Sequence, residues 1–239
     1  MVKSVVQDGE RRRRRRTKQG VVLSHALITE TALRLLREHG PQGLSARRLG
    51  VALGADPSTV YRYFKGMDDL TLALADELMG RAVTGWSATG DWRRDLRELG
   101  LRIYATYLSH PQAAVLTAGR VSGRPQEVAA DEAILGILRD AGFPDPSAVR
   151  IYHAFIDQTL AFAALDAATL TLPKSARRAD ETIWRATYAR LPERTHPHIT
   201  AVADLLSAHM NSSAYPAALD MMLATAAAEL ASRSRPMHR

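Results

Sequence analysis

The chain of 239 residues contains no cysteine. That removes disulfides, thiolate zinc sites, iron–sulfur clusters and a cysteine nucleophile at once, and it fits a reducing cytoplasm. The chain also lacks G-x-S-x-G, a P-loop, G-x-G-x-x-G and H-E-x-x-H, and the string Gly-Arg-Val-Ser-Gly from Gly119 to Gly123 has the wrong spacing for a nucleophile elbow. Enzymatic activity is therefore not expected, nor is a cofactor or a metal ion. No segment approaches the roughly 18 uncharged apolar residues of a membrane-spanning helix. The apolar stretch after the N-terminal arginines is broken at Ser24, His25, Thr29 and Glu30, unlike a signal peptide. These absences predict a soluble, cytoplasmic protein with no membrane partner. Strict apolar alternation rich in β-branched residues is missing as well, so no sheet is expected.

What is present is helical periodicity along nearly the whole chain, in a composition that is 46% hydrophobic and 24% charged. The predicted fold is all-α. The net charge of +7 is concentrated at one end. Residues 1–70 hold 14 Lys/Arg against 7 Asp/Glu, and residues 71–239 hold 18 of each. Residues 3–18 alone carry 8 basic and 2 acidic side chains, and the run Arg11 to Arg16 is too dense in like charge to pack. Residues 1–20 therefore read as a disordered basic arm, serving either as a solubilising tail or as a source of phosphate contacts beside a DNA-binding domain.

The first helix is expected from Ser24 to His39, with Ile28, Ala32, Leu35 and Leu36 on one face and Gly40-Pro41 as its stop. A second begins after Ser45, a good N-cap, and ends near Leu53. Gly54 then permits a tight turn, Asp56 caps the next helix, and Pro57 opens it where a missing N–H costs nothing. That third helix is short, Pro57 to about Phe64. Asp68 and Asp69 start a fourth that continues to about Val83. Further helices are expected at roughly 91–108, 112–119, 126–141, 146–169, 176–190, 198–210 and 216–232. Residues 170–197, with Pro173, Pro192 and Pro197, hold the least regular part and suggest a mobile connection.

Gly50, Gly54 and Val60 have the spacing of a helix-turn-helix. A small residue at Gly50 lets the next helix approach, Gly54 permits the turn, and Val60 plugs the gap with Leu49, Leu53 and Phe64. Left pointing outward are Ser58, Thr59, Tyr61, Arg62 and Tyr63, with Lys65 at the end. A generic αα corner with a solvated face would share the spacing. It would not need the two caps, the polar outer face and the basic arm together.

The segment LSARRLGVALGADPSTVYRYFKGMDDL, residues 44–70, resembles the DNA-binding domain of TetR-family transcriptional repressors. Residues 92–168 resemble the C-terminal domain of the tetracycline-repressor subclass, notably in YATYLSHP (Tyr104 to Pro111) and ILGILRDAGF (134–143). The resemblance implies that Ser45 meets a phosphate, that Arg47 reaches a base, and that Tyr61, Tyr63 and Lys65 position phosphates. It places Pro57, Ser58 and Arg62 where bases are read. Arg62 has independent chemical support, because its guanidinium fork can engage guanine O6 and N7 together, for about 1–3 kcal/mol of discrimination. The resemblance also implies domains at 21–66 and 67–239. The latter is expected to bind a ligand and to dimerise.

The stretch 91–108 is apolar around much of its circumference and should be buried, lining a cavity. Trp86, Tyr104, Tyr107, His110, Phe143, His153, Phe155, Asp157 and Phe162 offer the aromatic body and few polar groups of a small-molecule pocket, although each also suits ordinary core packing. His153 and Asp157 share a helix face and suit a paired His–Asp better than a metal. His196, His198 and His209 raise the metal question more weakly. The subclass histidine that contacts tetracycline aligns with Ala82 or Val83, so the implied effector is another small hydrophobic or aromatic molecule. Two apolar stripes, Val149, Ile156, Leu160, Ala163 and Leu219, Met222, Leu223, Ala226, Leu230, are expected to pair across a two-fold axis. The expected partners are thus a double-stranded DNA operator, a small effector and a second copy of the chain. The rival from the same sequence is a ligand-independent or architectural DNA-binding protein, with no ligandable cavity.

Overall fold

The computed structural model describes residues 22–210 and 212–233. The expected arm over residues 1–20, Arg11 to Arg16 included, lies outside the described residues. Among the described residues the fold is all-α: α1 (His25–His39), α2 (Ala46–Leu53), α3 (Met67–Val83), α4 (Trp92–Leu108), α5 (Pro111–Thr117), α6 (Pro125–Asp140), α7 (Asp145–Thr171), α8 (Lys174–Tyr188), α9 (Pro197–His209) and α10 (Tyr215–Arg233). Two short 3-10 segments, Pro41–Gly43 and Pro57–Arg62, join them. No single helix here is long and apolar enough to cross a membrane.

The capping residues act as their types require. Ser24 Oγ accepts from Leu27 N, Ser45 Oγ from Arg48 N, and Asp91 from the amides of Arg93 and Arg94. One sequence expectation needs correction. The helix expected at 57–64 is a 3-10 segment, closed by Thr59 N to Asp56 O at 2.9 Å and Tyr63 N to Val60 O at 3.0 Å. A piece this short, opened by proline and bounded by Gly54 and Gly66, uses the tighter turn. Within 170–197 the helix expected at 176–190 is α8, Pro173 and Pro197 stand at the starts of α8 and α9, where proline is tolerated, and the irregular part is the connection over 189–196.

The chain divides into two compact units, the first ending at Leu74 and the second beginning at Ala75. The first is built on Ile28, Ala32, Leu36, Leu49, Val60 and Phe64, all buried. In the second, α4 packs on α5, α6, α7 and α10. Its Leu96, Leu99, Ile103 and Tyr107 are buried, as the periodicity requires. Asp95 is buried too, but accepts from Thr89 N and Oγ1 and from Gly90 N. Burial pushes its carboxyl up, and the hydrogen bonds from Thr89 and Gly90 with the nearby Arg94 charge outweigh that, holding it below the usual carboxylate range.

The part of α3 within the second unit is tied by three polar links. Asp76 Oδ1 accepts from Gln126 N and Glu127 N, capping α6, whose own Arg124 supplies no cap. Arg81 Nη1 donates to His110 Nε2, and Arg102 donates to the carbonyls of Ala82 and Thr84 at the α3 C-terminus. The stripes expected to meet across a two-fold axis are largely spent inside the chain. Ile156, Ala163, Leu219, Leu223 and Ala226 are buried, and α10 packs on α4 and α7. What stays exposed along α7 and α10 is Val149 of the expected stripe together with Leu165 and Met221, the last 71% exposed, with Ala154, Ala161, Ala217 and Ala224 between them.

Candidate functional site

The first unit holds one polar face in place by backbone contact. Gly50 lies so close to the following turn that a Cβ there would sit 2.8 Å from Ala55 O and 3.0 Å from Pro57 N. Gly54 takes the left-handed conformation, φ 61° and ψ 34°, and its N–H closes back on α2. Asp56 accepts from Ser58 N at 2.8 Å, and hydrogen bonding from Ser58 holds its carboxyl below the ordinary range. Val60, 2% exposed, and Phe64 then plug the segment into the core beside Leu49 and Leu53.

This leaves one polar face. Ser58, Tyr61, Arg62 and Lys65 are exposed, and Pro57 and Thr59 are half-buried beside them. Arg47 is exposed on α2. Ser45 spends one acceptor lone pair as the α2 cap, and its hydroxyl proton is left to donate. The backbone N–H of Lys65 donates to Asp69, which organises the start of α3 and leaves the ammonium outside.

Tyr63 departs from the role implied for it. The ring is half-buried, and its hydroxyl donates to Leu23 O at 3.0 Å across a separation of 40 residues. His25 completes a clasp: its Nε2 lies 3.0 Å from Tyr63 O, and its ring meets those of Tyr63 and Phe64 edge-on at 5.3 and 5.2 Å. A phosphate oxygen can only accept, so Tyr63 cannot donate to it without releasing Leu23. In this structure Tyr63 positions the chain entering α1. His25 was not legible as a partner, since a single histidine at a helix start carries no periodic signal.

In the second unit, Tyr104, Tyr107 and His110 all point into hydrogen-bonded or buried surroundings. Tyr107 is buried, and burial with the Glu127 charge pushes its phenol upward. Tyr104 donates to Asp166 Oδ2 at 2.6 Å, which also accepts from Ser213 Oγ at 2.6 Å. His110 Nε2 accepts from Arg81, so the ring proton sits on Nδ1, within 3.1 Å of Thr106 O. Trp86 is half-buried, with its Nε1 enclosed and unpaired. His153 and Asp157 lie on the exposed side of α7, and among the described residues no hydrogen bond joins them.

Phe155 is buried, and Phe162 packs at 5.7 Å from Tyr215. Phe143 is buried against Trp92, at 5.1 Å. Tyr215 itself was not foreseen. Fully buried at the start of α10, it stacks on Tyr104 at 4.7 Å and shares a 2.8 Å hydrogen bond with Thr159. Burial pushes its phenol up to about 12. A Cβ on Gly100 would lie 2.6 Å from its oxygen. That glycine inside an apolar helix was the available signal, because it marks a close approach.

Two clefts of about 420 Å³ each open elsewhere. One is lined by Trp184, Val202, Leu205, Leu206, His209 and Met210. The other lies along α4 between Arg94, Leu101 and Arg102. Neither is lined by the aromatic and polar residues singled out from the sequence for a ligand. Among the described residues no group of three or more His, Asp or Glu could hold a metal, His196, His198 and His209 included.

Residues 28–74 match the family model of bacterial regulatory proteins, tetR family, and residues 85–229 match that of the tetracyclin repressor-like C-terminal domain. The HTH-type transcriptional repressor DrrR1 of Streptomyces coeruleorubidus is 28% identical over 124 residues, 51% of this chain and 46% of that protein. The tetracycline repressor protein class C of Escherichia coli is 33% identical over 123 residues, 51% of this chain and 56% of that one. The chain thus spans about half the length of these curated relatives. Among solved structures, a possible TetR family transcriptional regulator from Streptomyces coelicolor superposes with a TM-score of 0.69 at 28% identity, covering 88% of this chain and 100% of that one. The Streptomyces coelicolor TetR family protein ActR in complex with (S)-DNPA gives a TM-score of 0.75 at 20% identity, over 87% of this chain and 98% of that one.

Proposed function

Because the chain belongs to the TetR family of bacterial regulatory proteins, we propose that it is a transcriptional repressor that reads a palindromic operator as a dimer and lets go of it when a small hydrophobic or aromatic molecule binds the second unit. The observation that carries the DNA reading is the exposed face of Ser58, Tyr61 and Arg62 on a segment locked from behind by Gly50 and Val60. Arg62 reads a guanine in the major groove, with Pro57, Ser58 and Thr59 against neighbouring base edges. Ser45, Tyr61 and Lys65 hold phosphates, and Arg47 reaches the groove from α2. Tyr63 contributes by fixing the chain beside this face.

The exposed stripe of Leu165, Met221 and the alanines of α7 and α10 is the surface proposed for dimerisation, and a dimer that reads successive major grooves needs its two faces about 34–36 Å apart, one helical turn. Ligand response is supported by the likeness in fold to ActR, a protein solved with (S)-DNPA and with actinorhodin. In this chain the ligand's neighbours would be Trp86, Tyr104, Tyr107 and His110; His153 and Asp157 face outward. Because α3 begins in the first unit and carries the Asp76, Arg81 and Arg102 links in the second, it is the element through which a ligand would act. A hundredfold loss of operator affinity requires about 3 kcal/mol of difference in ligand affinity between the two states.

Footprinting on fragments recovered from a random DNA pool tests the reading. A two-fold symmetric protected site, weakened by a compound that also binds the protein in calorimetry, is expected. Binding without sequence preference would overturn it, and a specific site that no compound releases would favour the ligand-independent regulator.

A further inference from the structure

We propose that His25 and Tyr63 are positioning residues for base reading: by tying the start of α1 to the end of the Pro57–Arg62 segment, they fix the orientation from which Arg62 meets its base pair. The inference rests on the DNA reading above and adds to it His25, a residue 38 positions from the carbonyl it holds. Each of the two chain ends leaves a backbone carbonyl in need of a donor. At the end of the 3-10 segment the amides of Tyr63 and Phe64 both close on Val60 O at 3.0 Å, and the last carbonyls of such a segment have no partner within it. His25 Nε2, 3.0 Å from Tyr63 O, supplies one. A carbonyl only accepts, so Nε2 carries the proton, as it also does in the imidazolium, and the link survives a change in the charge of His25. At the other end, Leu23 lies just outside the α1 cap Ser24, and its carbonyl accepts from the Tyr63 hydroxyl at 3.0 Å.

The consequence falls on the residue immediately before Tyr63. Arg62 is exposed, and among the described residues its guanidinium makes no hydrogen bond, so it is available to DNA. The segment that carries it is held at its front by Gly50 and the Asp56 cap and in its middle by buried Val60. Its back end is held by the clasp, in which the His25 ring stands edge-on to Tyr63 and to buried Phe64 at 5.3 and 5.2 Å. A short 3-10 piece has poor hydrogen-bond geometry and little stiffness of its own. Arginine–guanine hydrogen bonds need heavy atoms about 2.7–3.2 Å apart, so a small rotation of the Tyr63 peptide breaks base contact without unfolding anything. The His25 bond is exposed, so water replaces it when it is lost and the fold changes little in stability. Loss of precision and loss of fold are therefore separable here.

The test is a double-mutant cycle on the full chain. The unmodified protein, His25→Ala, His25→Gln, Tyr63→Phe, Arg62→Ala and the double variant His25→Ala/Arg62→Ala are titrated by fluorescence anisotropy against an operator selected by the unmodified chain, over a range of salt. His25→Ala and Tyr63→Phe should each weaken operator binding about fivefold or more, the low end of what one bidentate arginine–guanine contact discriminates. The slope of log affinity against log salt should stay as it is, because no phosphate contact is removed. His25→Gln, whose amide can donate to Tyr63 O, should recover most of the loss. The double variant should bind within about twofold of Arg62→Ala alone, since with the arginine gone there is nothing left to position.

Unchanged operator affinity in His25→Ala and Tyr63→Phe would overturn the proposal. So would losses that add in full in the double variant, because a merely structural effect does not depend on Arg62. A salt slope lowered by about 0.9 in His25→Ala would make His25 a phosphate contact in its own right and overturn its positioning role. The two layers fail differently: Arg62→Ala binding every sequence as the unmodified chain does would refute the base-reading assignment itself, whereas a sensitive Arg62 beside an insensitive His25 would refute the clasp alone.

Discussion

Replacing Gly50 by alanine sets two effects of known sign against each other. In a helix interior alanine is favoured over glycine by about 1 kcal/mol. At Gly50, however, the new Cβ would lie 2.8 Å from Ala55 O, 3.0 Å from Pro57 N and 3.1 Å from Pro57 Cα, all backbone atoms with no side chain to swing aside. Moving from 2.8 Å to an ordinary contact at 3.4 Å requires the turn to retreat by about 0.6 Å. Overpacking of this kind costs about 1–3 kcal/mol, so the clash should cancel or exceed the propensity gain. Gly136 in α6 is the control, since a Cβ there meets nothing within 4 Å. Urea unfolding followed by circular dichroism should find Gly136→Ala stabilised by about 1 kcal/mol and Gly50→Ala unchanged or destabilised by up to about 2 kcal/mol.

The retreat also displaces Pro57–Arg62 as a body. Arginine–guanine hydrogen bonds tolerate only about 2.7–3.2 Å between heavy atoms. Operator affinity should therefore fall about tenfold or more, equivalent to about 1–3 kcal/mol, while Gly136→Ala binds normally. A Gly50→Ala protein stabilised like Gly136→Ala and binding DNA unchanged would refute the close-approach argument.

Asp95→Asn turns an amide N–H toward the donors of Thr89 and Gly90 and should cost about 1–3 kcal/mol. Because Asp95 titrates below its ordinary range, its stabilising effect is complete above the unfolded-state value of about 4. It is lost as the pH falls through the lower folded-state value, so denaturation curves of Asp95→Asn and the unmodified protein should converge in acid. Asp76→Ala removes the acceptor at the start of α6 and should lower stability by about 1 kcal/mol, measured by thermal unfolding. Leu165→Glu with Met221→Glu should convert a dimer at micromolar concentration into a folded monomer in sedimentation equilibrium. A monomeric unmodified chain would remove the dimer from the account.

The helices were legible because their ends carry local chemistry. Ser24, Ser45 and Asp91 each accept amide hydrogen bonds two or three residues on, and such a contact is written in a short stretch of sequence. The helix-turn-helix was legible for the same reason, since Gly50, Gly54, Pro57 and Val60 all act within eleven positions. What escaped were partners distant in the chain: Tyr63 on Leu23, Asp76 on the α6 amides, Tyr215 beside Gly100. A side chain reaching a backbone group 40 or 50 residues away leaves no period to read. The α10 stripe shows a second limit. Periodicity reveals that Leu219, Leu223 and Ala226 are covered, but not whether the cover comes from the same chain or from a second copy, and here it is the same chain.

The central claim is that Arg62 on the locked segment reads a base, and it is tested most directly by selecting bound DNA from a random pool with the unmodified chain and with Arg62→Ala in parallel. The unmodified chain should enrich a palindrome whose half-sites are centred about 10–10.5 base pairs, or a multiple of that, apart. Arg62→Ala should enrich the same palindrome with one G·C pair relaxed in each half-site. An identical consensus from both proteins, or no consensus from either, would contradict the account.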